Sequence, residues 1–272
     1  MFSKAIPTAP IILELFRPDL VNRTALRSLE LSTFLQGLEM AGALQRCDNI
    51  RKAVFALGPT LEKRGGRQDT RIRAICLDFG NVLVPFDYKR LWRGLVPYSA
   101  LSELEMAQQF QESELPILYE SGNLSSESFY REMSSLLKIT LSYQSFCAEW
   151  SSIFDLDSTV DLPFLSSLAR DYVLVLVSNT NEIHFDFMRR QYSVLRAFHH
   201  FALSFRVGVT KPGREIYVAA LNMALVDASE AFYADDIKSY VDAALELGFR
   251  ATQVRNKEEL VGAMSHSGIT LP

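Results

Sequence analysis

The chain has 272 residues, 48% of them apolar, and a formal net charge of −4. Such a length and composition describe a globular protein able to bury a large core, and the acidic balance argues against general nucleic-acid binding, which needs a basic surplus on the folded domain. The longest apolar runs are about six residues, well below the ~20 of a membrane-spanning helix, and Cys47, Cys76 and Cys147 form neither a disulfide framework nor a CxxC site; a reducing, cytoplasmic setting is expected.

Residues 1–73 carry 12 Lys and Arg against 7 Asp and Glu, a net of +5, whereas residues 74–272 carry 16 against 25, a net of −9. That asymmetry marks the N-terminal segment as a separate piece. Leu26, Leu29, Phe34, Leu38 and Ala41 recur at helical spacing after Thr24, so residues 1–70 are expected to form a helical extension ending in a polar, Gly-bearing linker at Lys63 to Thr70. Glu14, Asp19, Glu30 and Glu39 are too many acids for an organelle-targeting segment.

From residue 71 the pattern changes. Ile72, Ala74, Ile75, Cys76 and Leu77 read as a short strand ending at Asp78-Phe-Gly-Asn. Tyr172 to Val177 read as a second ending at Ser178-Asn179, and Ala231 to Ala234 as a third ending at Asp235-Asp236. Continuous apolar runs of this length suit parallel strands covered on both faces. Helices are predicted over Pro212 to Met223 and Tyr240 to Leu247, with Gly248 as a stop. The alternation predicts an α/β fold with a doubly wound, Rossmann-like parallel sheet. Its core is expected over 71–86 and 159–272. The insert 87–158, with Leu101, Leu104 and Phe110 and then Phe129, Met133, Leu136 and Leu137 at helical intervals, is expected to be a helical cap. Its Trp and Phe residues are read as core, and Phe86, Tyr88 and Trp92 as the ones nearest the substrate. His199-His200 is read as a surface pair on a helix, because adjacent helical positions diverge by ~100°.

Ligands of open α/β sheets bind beyond the carboxyl ends of the strands. A carboxylate (Asp78), a hydroxyl (Ser178), a cation (Lys211, in Thr210-Lys211-Pro212) and an acidic pair (Asp235-Asp236) together suit phosphoryl transfer. A phosphate dianion would be repelled by three carboxylates. Mg2+ takes one or two carboxylates plus water and phosphate oxygens, and with Lys211 it would offset that repulsion. Backbone N–H groups near Phe79, Gly80 and Asn81 would complete a phosphate cradle.

The four elements occur in order, with 100 residues from Asp78 to Ser178, 33 more to Lys211 and 25 more to Asp236. In that order they resemble the four motifs of the haloacid dehalogenase superfamily, whose helical cap is inserted where residues 87–158 lie. Asp78-Phe-Gly-Asn-Val, Ser178-Asn-Thr-Asn, Lys211-Pro with Glu215-Ile-Tyr217, Asp235-Asp236 with Asp242-Ala-Ala, and the stretch Tyr119-Glu-Ser-Gly-Asn-Leu-Ser-Ser-Glu-Ser-Phe129 are similar to a bacterial sugar-phosphatase subgroup that includes α-glucose-1-phosphatase. The resemblance spans about residues 73–258. It implies a phosphorylated small-molecule substrate, Asp78 as a nucleophile that becomes an aspartyl phosphate, Ser178 and Asn179 on the transferring phosphate, Lys211 as its counter-charge, and Mg2+ held by Asp78, Asp236, the Gly80 carbonyl and, directly or through water, Asp235.

Gly80 departs from the superfamily pattern, which has a second aspartate there to protonate the leaving oxygen and later activate water. General acid–base help is worth ~10² to 10⁴ in rate. Three readings of the departure stand: a substitute donor, either a water or another side chain such as one from the cap, with Glu182 and His184 candidates by proximity to Asn179 although both read as surface helix residues; an enzyme that is slow or restricted to activated phosphates; or a binding protein that has lost catalysis. A metal-independent haloacid dehalogenase is a further alternative, disfavoured by retention of Asp235-Asp236.

Overall fold

The structure, a computed structural model, describes residues 71–272; the helical extension and linker expected over residues 1–70 lie outside them. In chain order the elements are β1 (Ala74–Leu77), α1 (Tyr88–Leu95), α2 (Glu103–Glu112), α3 (Leu115–Glu120), α4 (Ser126–Leu136), α5 (Tyr143–Trp150), α6 (Leu162–Leu168), β2 (Val173–Ser178), α7 (Glu182–Gln191), β3 (His200–Leu203), α8 (Ser204–Val207), α9 (Arg214–Ala224), β4 (Ala231–Asp235), α10 (Lys238–Glu246), β5 (Arg250–Gln253) and α11 (Lys257–His266).

The five strands form one parallel sheet in the order β3-β2-β1-β4-β5, the α/β architecture expected from the sequence. Alternate residues of each strand enter opposite cores, as a period of two requires. Ile75, Leu77, Leu174, Leu176 and Phe232 join Leu165, Met188, Leu260 and Met264 on one face. Cys76, Val175, Val177 and Tyr233 meet Ile216, Tyr217, Ala220 and Ala244 on the other. The chain builds outward from β1 through β2 to β3 and then crosses back to place β4 on the other side of β1. This reversal opens a crevice at the carboxyl ends of β1, β2 and β4, where such sheets bind ligands.

Between β1 and β2 the chain is helical. Ser102, Ser125 and Ser142 start α2, α4 and α5 by accepting hydrogen bonds from the amides of Glu105, Ser128 and Ser145, which satisfies donors that a helix start leaves free. These helices close over an aromatic core of Trp92, Tyr119, Phe129, Phe146 and Trp150, as expected for the Trp and Phe residues. Leu104 differs: it is 78% exposed. It lies two residues, and so ~200° of helix, from the buried Met106 of the same helix.

Two strands, β3 and β5, went unread in the sequence. Both lie at sheet edges and are short or polar: His200-Phe-Ala-Leu and Arg250-Ala-Thr-Gln. His199-His200 accordingly stands at the start of β3 and not on a helix; His199 Nδ1 accepts a 3.0 Å hydrogen bond from the Leu174 amide. Among the described residues no helix is long and apolar enough to cross a membrane.

Candidate active site

Asp78 follows the last residue of β1, and its amide donates to Ala234 O at 3.0 Å, tying it to β4. Lys211, in the loop before α9, is 2% exposed. Its ammonium spends all three protons within the site: on Asp78 Oδ1 at 2.8 Å, Asp235 Oδ2 at 2.7 Å and Val177 O at 3.0 Å. A buried cation is tolerable only when paired in this way. The loop is held in place by Asn179, whose Oδ1 accepts from the Lys211 amide at 2.6 Å and whose Nδ2 donates to Lys211 O at 3.1 Å and Tyr240 Oη at 3.3 Å.

The side chain of Asn179 is thus committed to the lysine loop. Ser178 Oγ, at the end of β2 and 4% exposed, has only a long 3.5 Å approach to Asn179 O. It is the hydroxyl of the strand ends left able to serve a ligand.

The acidic pair divides in the same manner. Asp235 is fully buried; besides Lys211 it accepts from Tyr233 Oη and, at 2.9 Å, from the Ile237 amide. Asp236 is partly exposed and accepts from Asn81 Nδ2 at 2.9 Å. Asn81 adopts φ +55°, a left-handed geometry Asn tolerates, and its Oδ1 accepts from the Phe86 amide at 3.3 Å. Carboxylate oxygens of Asp78, Asp235 and Asp236 lie within 4.8 Å of one another. Three carboxylates and one lysine leave the cluster short of positive charge. Burial pushes the Asp78 carboxyl up to about 7, with Lys211 opposing and Asp235 adding to the rise, and burial also raises Asp236. An all-oxygen donor set in a negative, partly buried crevice fits a hard divalent cation.

The two substitute donors weighed from sequence are both engaged elsewhere. His184 is 4% exposed and not a surface residue. Its Nδ1 accepts from Asn181 Nδ2 at 3.1 Å and its Nε2 donates to Trp150 O at 2.9 Å, and burial lowers its pKa to about 4. Glu182 is exposed, but its carboxylate accepts from Ser126 Oγ of the cap. Both residues fasten the cap to α7.

Two residues gain a place here that periodicity did not provide. Phe86 covers Gly80: a Cβ built on that glycine would lie 2.7 Å from Phe86 Cε1. Glu120, the last residue of α3, reaches from the cap into the field of Lys211 and Tyr240. Its only sequence signal was membership of the Tyr119-Glu-Ser-Gly stretch.

No protein-family model matches the chain. It is similar to a D-ribitol-5-phosphate phosphatase of Bacteroides thetaiotaomicron, with 24% identity over 191 residues covering 68% of this chain and 93% of the relative. A solved structure of a haloacid dehalogenase-family enzyme of the same organism, in complex with magnesium and inorganic phosphate, superposes with a TM-score of 0.61 at 25% identity, covering 68% of this chain and 96% of that one. A haloacid dehalogenase-like hydrolase of Porphyromonas gingivalis gives a TM-score of 0.63 at 25% identity, covering 72% and 97%.

Proposed function

We propose, on the premise that the chain belongs to the haloacid dehalogenase superfamily, that it is a magnesium-dependent phosphatase whose substrate is a sugar or polyol phosphate. The observation that carries this reading is the position of Lys211, fixed between Asp78 and Asp235 and bonded to the carbonyl of Val177, next to Ser178, whose hydroxyl has only a long 3.5 Å approach to Asn179 O. The similarity to a D-ribitol-5-phosphate phosphatase supports the substrate class.

Asp78 attacks phosphorus with one carboxylate oxygen, forming an aspartyl phosphate as the P–O bond to the alcohol breaks; water then attacks phosphorus and restores Asp78. Lys211 holds the reactive carboxylate in orientation and faces the negative charge of the transferring oxygens, and it needs no reorganisation because its contacts already exist. Ser178 donates its hydroxyl to the phosphate. Asn179 acts through the lysine loop it clamps, and Gly80 and Asn81 supply the backbone turn beneath the phosphate. The cofactor is Mg2+: Asp78, Asp236 and the Gly80 carbonyl would hold it, with Asp235 contributing through water, since its oxygens already accept from Lys211, Tyr233 and Ile237. When bound it offsets the repulsion between the carboxylates and a phosphate dianion.

The test is phosphate release from an aryl phosphate and from a panel of sugar and polyol phosphates, with Mg2+ and with EDTA. Turnover is expected with Mg2+ alone, and Asp78→Asn should reduce it to the reagent blank. Equal rates in EDTA would overturn the metal role, and metal-independent halide release from a short haloacid would move the chain to the dehalogenase reaction. A folded protein inert toward every phosphate would leave only a binding role.

A further inference from the structure

Hydrolysis of an alkyl phosphate needs a proton at the departing oxygen, and the strand ends offer no donor. Gly80 has no side chain, and the space one would take is filled by Phe86, whose Cε1 and Cδ1 would stand 2.7 and 3.0 Å from an added Cβ. His184 and Glu182 are engaged in the seam with the cap. The proton must then arrive from the cap side of the crevice.

The chain fixes one carboxyl group there. Tyr119, immediately before Glu120, has its hydroxyl locked between the Ile183 amide of α7 at 3.1 Å and Ser126 Oγ at 2.7 Å. Gly122, two residues after Glu120, lies so close to α8 that an added Cβ would stand 2.2 Å from Phe205 O. Glu120 is therefore held between two points at which the cap is anchored to the core. Its carboxyl accepts no hydrogen bond from any described residue, and the groups that feel its charge come from three directions: Lys211 in the loop before α9, Tyr240 on α10 and Tyr88 on α1.

We propose that Glu120 is the missing acid and base of the reaction, a role that rests on the phosphatase reading above. In the first step Asp78 forms its bond to phosphorus, the electron pair of the breaking P–O bond goes to the substrate oxygen, and that oxygen takes the proton of the Glu120 carboxyl to leave as an alcohol. In the second step the Glu120 carboxylate takes a proton from water as its oxygen attacks phosphorus; the bond to Asp78 breaks, the Asp78 carboxylate is restored and phosphate departs. Glu120 ends protonated, ready for the next cycle. Burial pushes this carboxyl up to about 7 against the opposing pull of Lys211, so near neutral pH both forms are present, as a group that both gives and takes a proton requires.

The experiment compares the full-length wild type with Glu120→Gln, with Mg2+, on p-nitrophenyl phosphate and on the sugar phosphate the wild type turns over fastest, in both first-turnover and steady-state kinetics. Nitrophenolate leaves without a proton. The variant should release one equivalent of it at the wild-type rate and then turn over slowly, while its first turnover of the sugar phosphate falls by ~10² or more and the fall in kcat/KM toward alkaline pH disappears. The nitrophenolate burst also reports correct folding. An equal loss in both first turnovers, or no loss with the sugar phosphate, would overturn the role of Glu120 while the phosphatase reading stands. A wild type inert toward both substrates would overturn that reading, and this proposal with it.

Discussion

The strand ends that floor the crevice and the cap that roofs it are made of different materials. The floor gathers Asp78, Lys211, Asp235 and Asp236 on backbone fixed by the sheet, and its buried charges are matched to one another at 2.7 and 2.8 Å. The cap is an aromatic cluster in which Phe129 packs on Tyr119 at 4.2 Å and on Trp150 at 4.9 Å, with Glu120 the carboxyl group that couples electrostatically to Lys211 of the floor. On the proposed reading the floor addresses only the phosphate oxygens, which would leave discrimination among alcohols, and the fate of their proton, to the roof. The two halves meet at the first turn of α7, which begins four residues after Ser178 and bonds to the cap through Glu182, Ile183 and His184.

The largest test of this contrast is on the floor. Lys211→Met would leave Asp78 and Asp235 buried without their counter-charge, and breaking a buried pair from one side costs about 3–5 kcal/mol. In EDTA the denaturant midpoint should fall by a corresponding amount, and phosphate release in Mg2+ should vanish. A variant as stable as the wild type would mean that the cluster is hydrated in solution and the floor less rigid than described.

Much of the floor was legible in the sequence, because a parallel strand covered on both faces leaves an apolar run and the first polar residue after it lies at the ligand end. Asp78, Ser178 and Asp235 could be placed by that rule alone, and Lys211 by its order among them. The division of labour was not legible. Whether Asn179 faces a phosphate or clamps a loop, and whether Asp235 or Asp236 is the freer carboxylate, depends on contacts between residues tens of positions apart. In the cap, helical spacing identified Phe129 and Met133 as core but put Leu104 on the wrong face, since the apolar stripe of α2 runs through Met106. Spacing also cannot say which polar residue of a cap looks down, so Glu120 was missed.

The seam gives the second test. His184 is held neutral, with a pKa of about 4 against its ordinary 6.5, chiefly by burial and against the pull of its bond to Trp150 O. The unfolded chain takes up the His184 proton near pH 6.5 and the folded chain only near 4, so this contribution to stability is present above pH 6.5 and is lost as pH falls through 6.5 toward 4. Each tenfold difference in proton affinity between the two states is worth about 1.36 kcal/mol, so the loss is on the order of a few kcal/mol. Asp78 and Glu120, both raised, contribute in the opposite sense over the same range, so the informative quantity is the difference in unfolding free energy between wild type and His184→Gln. The variant should be less stable at neutral pH, with its deficit shrinking as the solution is acidified. A deficit independent of pH would show that the imidazole is not buried neutral in the seam.

The smallest effect expected is at the boundary between the regions, where Phe86 leans over Gly80. Gly80→Ala forces a Cβ into the 2.7 Å approach to the ring, an overpacking that costs about 1–3 kcal/mol where neighbours resist. Phe86 has some freedom to yield, being only partly buried and set edge-on to Tyr88 and Phe154 with ring centroids 5.8 and 6.4 Å away, so the lower end of that range is expected. In a Phe86→Ala background the same substitution meets empty space, and the cost should nearly disappear; the double-mutant cycle reads the contact directly. Catalysis gives the sharper comparison. If a ring has taken the place of the floor's own acid, Gly80→Asp alone should do little for a sugar phosphate, because the new carboxyl has no room to reach the departing oxygen. The pair Gly80→Asp with Phe86→Ala should raise that rate in an enzyme already carrying Glu120→Gln. Rescue by Gly80→Asp alone would show that the ring swings clear and that the floor was never closed to a second carboxylate.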